Sequence, residues 1–134
     1  MKQVLEHVME AYDAINDINE AELKWITDVT TQKHRSKVSY CEVCGSRHCV
    51  IEQHHVAGRK HDTRTISVCQ QCHRQLSDMQ NLYDRAWLNK QEDQNEIWLT
   101  RGLIDVFTLK YEKTHIQLYK EAANLITRGF RYDQ

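Results

Sequence analysis

The sequence predicts an α+β fold, predominantly helical, in which amphipathic helices flank a small ββα centre. Three observations lead there. Apolar residues recur at helical spacing toward both ends of the chain. Its middle alternates short apolar runs with turn residues and holds all five cysteines. Proline is absent and only four of the 134 residues are glycine, which argues against collagen-like, linker-rich and turn-dense all-β designs. The length suits one domain.

Each element follows from its pattern. Within residues 1–32, a helical stripe at 2–16 carries Val4, Leu5, Val8, Met9, Tyr12 and Ile15. A second helix runs from Glu20 to Val29, with Leu23, Trp25, Ile26 and Val29 on its apolar face. Thr30 to Ser39 reads as a polar, basic connector. Val38 to Cys41 and Val50 to Val56 suit short strands, the second holding Glu52, His54 and His55 in an apolar frame. A basic loop from Gly58 to Thr65 leads to another short strand, Ile66 to Val68. A helix is expected from Cys72 onward, with Leu76, Met79, Tyr83, Ala86 and Trp87 on one face. After the polar stretch 89–96, a final helical region carries Ile97, Ile104, Phe107 and Tyr111, then Ile116, Tyr119, Ala123 and Ile126. Gly129 is its stop signal. The single domain, 1–134, thus divides into a helical segment 1–32, a core 39–80 and a helical extension 81–134.

Charge is divided unevenly. Residues 1–32 hold two Lys/Arg against seven Asp/Glu, residues 33–74 eight against three, and residues 75–134 eight against nine. The basic middle block also holds six of the eight histidines, which makes it the expected seat of function. No apolar run approaches the ~20 residues of a membrane span. Glu6, Glu10 and Asp13 come too early for a secretory signal, so the expectation is a cytoplasmic chain away from membranes.

The cysteines are Cys41, Cys44, Cys49, Cys69 and Cys72. Two Cys-x-x-Cys pairs, an odd total and no signal segment favour metal over disulfides. Each pair can bend into a knuckle that aims two thiolates at one tetrahedral zinc, and Gly45 suits the tight turn after the first. Cys41, Cys44, Cys69 and Cys72 are therefore the expected ligands of a structural Zn²⁺. Cys49 is left over, either as a small apolar group or as a replacement ligand.

Three histidines stand where chemistry is plausible. Neighbouring strand residues face opposite sides, so the His54–His55 doublet can give one imidazole to a metal and keep the other to act on water. His73, directly after Cys72, can converge on the same point as His54. Its place at a helix start also favours phosphate, and Arg59, Lys60, Arg64 and Arg74 surround it in sequence. The plainer readings are a histidine replacing a zinc-ligating cysteine, or strand histidines that are merely hydrogen-bonded.

The stretch Cys41-x2-Cys44…Glu52-Gln-His-His-Val-Ala-Gly58…Cys69-Gln-Gln-Cys-His-Arg-Gln-Leu76 resembles an HNH endonuclease of the zinc-stabilised ββα-metal type, over residues 39–80. The resemblance implies metal-dependent hydrolysis of DNA, with 5′-phosphate and 3′-hydroxyl products. It implies His55 as general base, His54 and His73 as ligands of a catalytic divalent metal (Mg²⁺, Mn²⁺, Ni²⁺ or Zn²⁺), and the four cysteines as the zinc site. Arg59, Lys60, Arg64 and Arg74 would contact the DNA backbone. Two positions depart from the family pattern. Its middle asparagine has no counterpart, leaving His61 or Asp62 as substitutes, and a further ligand histidine found in some members is replaced by Ser77. The alternative is a non-catalytic module that binds nucleic acid or protein, its helical extensions pairing with partners or with a second copy in a homodimer.

Overall fold

A computed structural model describes residues 20–32, 35–59, 62–87 and 95–132. The expected helix at 2–16, Lys60, His61 and most of the polar stretch 89–96 lie outside these residues. Within them the chain is α+β and mostly helical. In order come α1 (Glu20–Thr31), β1 (Ile51–His55), β2 (Thr65–Cys69), α2 (Gln70–Trp87), α3 (Asn95–Thr114) and α4 (Gln117–Tyr132). No helix among the described residues is long and apolar enough to cross a membrane.

α1 opens with Glu20 and Glu22, which suit the positive end of its dipole, and buries Ile26, Val29 and Thr30. The segment 38–41, expected as a strand, is not one. The chain turns at once into the knuckle Cys41–Gly45, and one backbone bond, Glu42 N–H to the Ser67 carbonyl at 2.8 Å, ties it to β2. The Ser67 N–H that a third strand would have paired donates instead to the Glu42 carboxylate at 2.6 Å. A side chain has replaced a strand.

β1 and β2 form a two-stranded antiparallel sheet, registered from Ile51 opposite Cys69 to His55 opposite Thr65. Beyond His55 the loop closes through Val56 N–H to the Arg64 carbonyl at 3.1 Å. β2 runs into α2 without a linker, because the second knuckle is itself the junction.

The helical extension breaks where periodicity alone reads as continuous. His115 adopts φ 58°, an uncommon left-handed conformation outside glycine. It separates α3 from α4, which pack together through Phe107, Tyr119, Ala122, Ala123 and Ile126 in the common core. α4 also passes through Gly129 to Tyr132, so that glycine is no stop.

α3 is tied to the end of β1 and to α1. A Cβ on Gly102 would lie 1.8 Å from the Val56 carbonyl oxygen, so only a residue without one lets α3 come this close to the end of β1. Lys110 is buried with its ammonium 4.2 Å from the Trp25 ring centre and 4.7 Å from that of Tyr119. The Trp25 indole N–H in turn donates to Glu42 at 3.0 Å, and Arg35 holds the other Glu42 oxygen at 2.6 Å. One carboxylate in the first knuckle thereby links α1, β2 and, through Trp25, α3.

Candidate metal centre and histidine cleft

The knuckles bring Cys41, Cys44, Cys69 and Cys72 together, with all four sulfurs within 4.8 Å of one another. In each, the amide of the second cysteine donates to the sulfur of the first, Cys44 N to Cys41 Sγ and Cys72 N to Cys69 Sγ, both at 3.4 Å. Gly45 takes φ 81° so that its N–H can return to the Cys41 carbonyl at 2.9 Å. All four are free thiols. The Cys44 and Cys69 sulfurs stand 3.9 Å apart. Zinc–sulfur bonds of ~2.3 Å imply a tetrahedral edge of roughly 3.8 Å.

The electrostatics agree with the geometry. A hydrogen bond from Cys72 draws the Cys41 thiol well below the usual thiol range, while the same contact and burial push Cys72 up. Thiols this crowded share protons, and a dication can take the place of those protons. The cluster could hold a structural metal such as zinc. Cys49 stays outside it, with its sulfur 3.8 Å from the Ser46 carbonyl.

The second locus lies where α2 crosses β1. On the helix, Gln70, His73, Ser77 and Gln80 recur at spacings of three and four and share a face. On the strand, Glu52 and His54 share a face by their spacing of two. The two faces meet. Gln70 and His73 reach Glu52 at 3.3 and 2.7 Å, and the His73 and His54 ring centres stand 5.5 Å apart. Gln80 Nε2 donates to the carbonyls of His55 at 2.9 Å and Val56 at 3.0 Å, and lies 3.4 Å from His54 Nε2.

Gln53, His54, His55, Arg59, His73, Ser77 and Gln80 line a cleft there. Because His55 ends its strand, both members of the doublet reach this one cleft. His54 is almost fully buried, which drives its pKa down to about 3, helped by His73 and His55. It is a neutral imidazole at ordinary pH, the form that ligates metals. His55 is half-buried, and burial, Arg59 and then His73 lower its pKa as well. The His54 and His73 imidazoles form an edge-to-face pair, with ring centres 5.5 Å apart and planes at 73°. Among the described residues, only the cysteine cluster gathers three or more Cys, His, Asp or Glu donors within 4.8 Å of one another. A metal on His54 and His73 would keep most of its coordination open.

The basic residues divide. Arg59 and Arg74 are exposed beside the cleft. Arg64 is 8 % exposed, its guanidinium 3.6 Å from Asp62 inside the loop, so burial removes it from the expected backbone-contacting set. Asp62 Oδ1 makes that contact and accepts the Arg64 N–H at 2.9 Å. These contacts help close the loop. Glu52 and Gln80 are the site residues that sequence reasoning passed over as partners of these histidines. Their helical and strand periodicities were available, but the meeting of the two faces was not. No family model, curated protein or solved structure matches the chain.

Proposed function

We propose that the chain is a metal-dependent endonuclease of the HNH type that hydrolyses DNA phosphodiester bonds. One observation carries the reading: His54, His55, Arg59 and His73 line a single cleft. The cysteine cluster would hold structural zinc and fix the start of α2, and hence His73, against β1.

In this reading His55 accepts the proton of the attacking water as the new oxygen–phosphorus bond forms and the bond to the 3′ oxygen breaks. A 5′-phosphate results, and solvent water protonates the departing oxygen to give the 3′-hydroxyl. The same burial and the Arg59 charge that lower its pKa favour neutral His55, the only form able to take a proton. A divalent cation on His54 and His73 would supply charge neutralisation at the phosphate and the departing oxygen. Arg59 and Arg74 grip phosphates and position the strand without reading its sequence.

The test is cleavage of plasmid DNA by the zinc-loaded protein with Mg²⁺, Mn²⁺, Ni²⁺ or Zn²⁺, beside His55→Ala. Cutting that disappears in the variant is the expected result. Binding without cutting, with every metal, would replace this reading by the non-catalytic nucleic-acid module.

A further inference from the structure

We infer that Glu52 is a positioning residue: it accepts the Nδ1–H of His73, fixes that tautomer, and leaves the Nε2 lone pair of His73 for the ligand of the cleft. The inference rests on the reading of His73 as a metal ligand in so far as it names that ligand as a divalent cation.

Four observations converge. The His73 Nδ1 to Glu52 Oε1 distance is 2.7 Å, the shortest class of nitrogen–oxygen hydrogen bond. Glu52 is itself held, its other oxygen taking the Gln70 amide at 3.3 Å from one turn earlier on the same helix face. β1 fixes Glu52 from below, opposite Val68 in the sheet register and on the face it shares with His54. The contact is at Nδ1, one side of the ring, and the donor atoms of Glu52, His73 and His54 do not all lie within 4.8 Å of one another. An ionised carboxylate only accepts hydrogen bonds, so the nitrogen facing it must carry the proton. A neutral imidazole then has its lone pair on the other nitrogen. Carboxylates placed behind ligating histidines act in this way, and their removal typically costs about 10–100-fold in metal affinity.

The test reads the tautomer directly, by ¹⁵N chemical shifts of the His73 ring in the zinc-loaded, full-length protein without added metal. Wild type should show Nδ1 protonated and Nε2 bare. Glu52→Ala should release the preference, and Glu52→Gln, whose carbonyl oxygen can still accept, should retain it. Mn²⁺ titration, followed by paramagnetic broadening of the His73 ring signals, should then show affinity down about 10–100-fold in Glu52→Ala and less in Glu52→Gln. Zinc content and dispersed amide spectra establish that each variant is folded. A wild-type ring protonated at Nε2 with Nδ1 bare, a result that needs no variant, would overturn the inference. So would an unchanged tautomer and Mn²⁺ affinity in folded Glu52→Ala. The nuclease reading is judged separately: a Glu52-dependent tautomer in a protein that cuts no DNA upholds the positioning role and removes the nuclease.

Discussion

The cysteine cluster and the histidine cleft both draw on the junction of β2 with α2, yet they are built by opposite means. Each half of the cluster is local: two cysteines three residues apart, with an amide of the turn bonded to a sulfur. It is largely enclosed, with Cys41, Cys69 and Cys72 buried. The cleft is assembled across the fold, from Glu52 to His73 and from His55 and Val56 to Gln80, over 21 to 25 residues of chain. Its lining side chains are all polar, and exposed Arg59 stands at its edge. A closed donor set can serve stability, whereas an open one can serve a ligand that comes and goes.

The largest break expected in that contrast is at the cluster. Cys69→Ser should release the metal and unfold much of the chain, because apparent zinc-binding energies of about 10–16 kcal/mol in such sites are also folding energy. Cys49→Ser should keep both metal and fold. Metal content and thermal melting decide it, and equal losses in the two variants would redraw the ligand set.

At the cleft the reverse is expected. His55→Ala should leave metal content and melting temperature near wild type while cleavage falls about 10²–10⁴-fold, the usual worth of a general base. A parallel loss of stability would mean that the cleft is as structural as the cluster.

Gly102→Ala probes the seam between α3 and the end of β1. Alanine favours a helix by about 1 kcal/mol over glycine. Its Cβ, however, would sit 1.8 Å from the Val56 carbonyl oxygen, which Gln80 also holds. Overpacking commonly costs about 1–3 kcal/mol, and backbone has little room to yield. Net destabilisation in a denaturant titration, with the cysteine cluster still metallated, is the expected outcome.

Smaller effects separate the basic residues. Neutralising Arg59 or Arg74 should each reduce the log–log salt slope of DNA binding by about 0.9. Arg64→Gln, inside its loop, should leave the slope unchanged. The pH profile is the finest of these probes. His55 has its pKa lowered, so cleavage should be complete above that value and lost as pH falls through it, with a midpoint below about 6.5. Arg59→Gln removes one of the depressing charges and should move the midpoint upward.

The same contrast explains what was legible in the sequence. Cysteine spacing specifies a knuckle because the geometry closes within four residues, and His73 came into view by standing next to Cys72. The β1 and β2 strands announced themselves through short apolar runs. Val38 to Cys41 carried a similar run, but the Glu42 carboxylate took the pairing that would have made it a strand. Arg64 looked like its basic neighbours because sequence does not show that the loop folds its guanidinium onto Asp62. Glu52 and Gln80 escaped for a related reason: their partners depend on how α2 lies across β1. Nothing local encodes that.

Trp25 gives the cluster an optical reporter. Its indole N–H donates to Glu42, the residue between Cys41 and Val43, and the Lys110 ammonium lies over its ring. An indole held between a carboxylate and an ammonium emits in a fixed local field, and that field lasts only as long as the first knuckle keeps its shape. Chelation of the cluster's metal would therefore register as a change in tryptophan emission, and the share contributed by this indole is the part that Trp25→Phe removes.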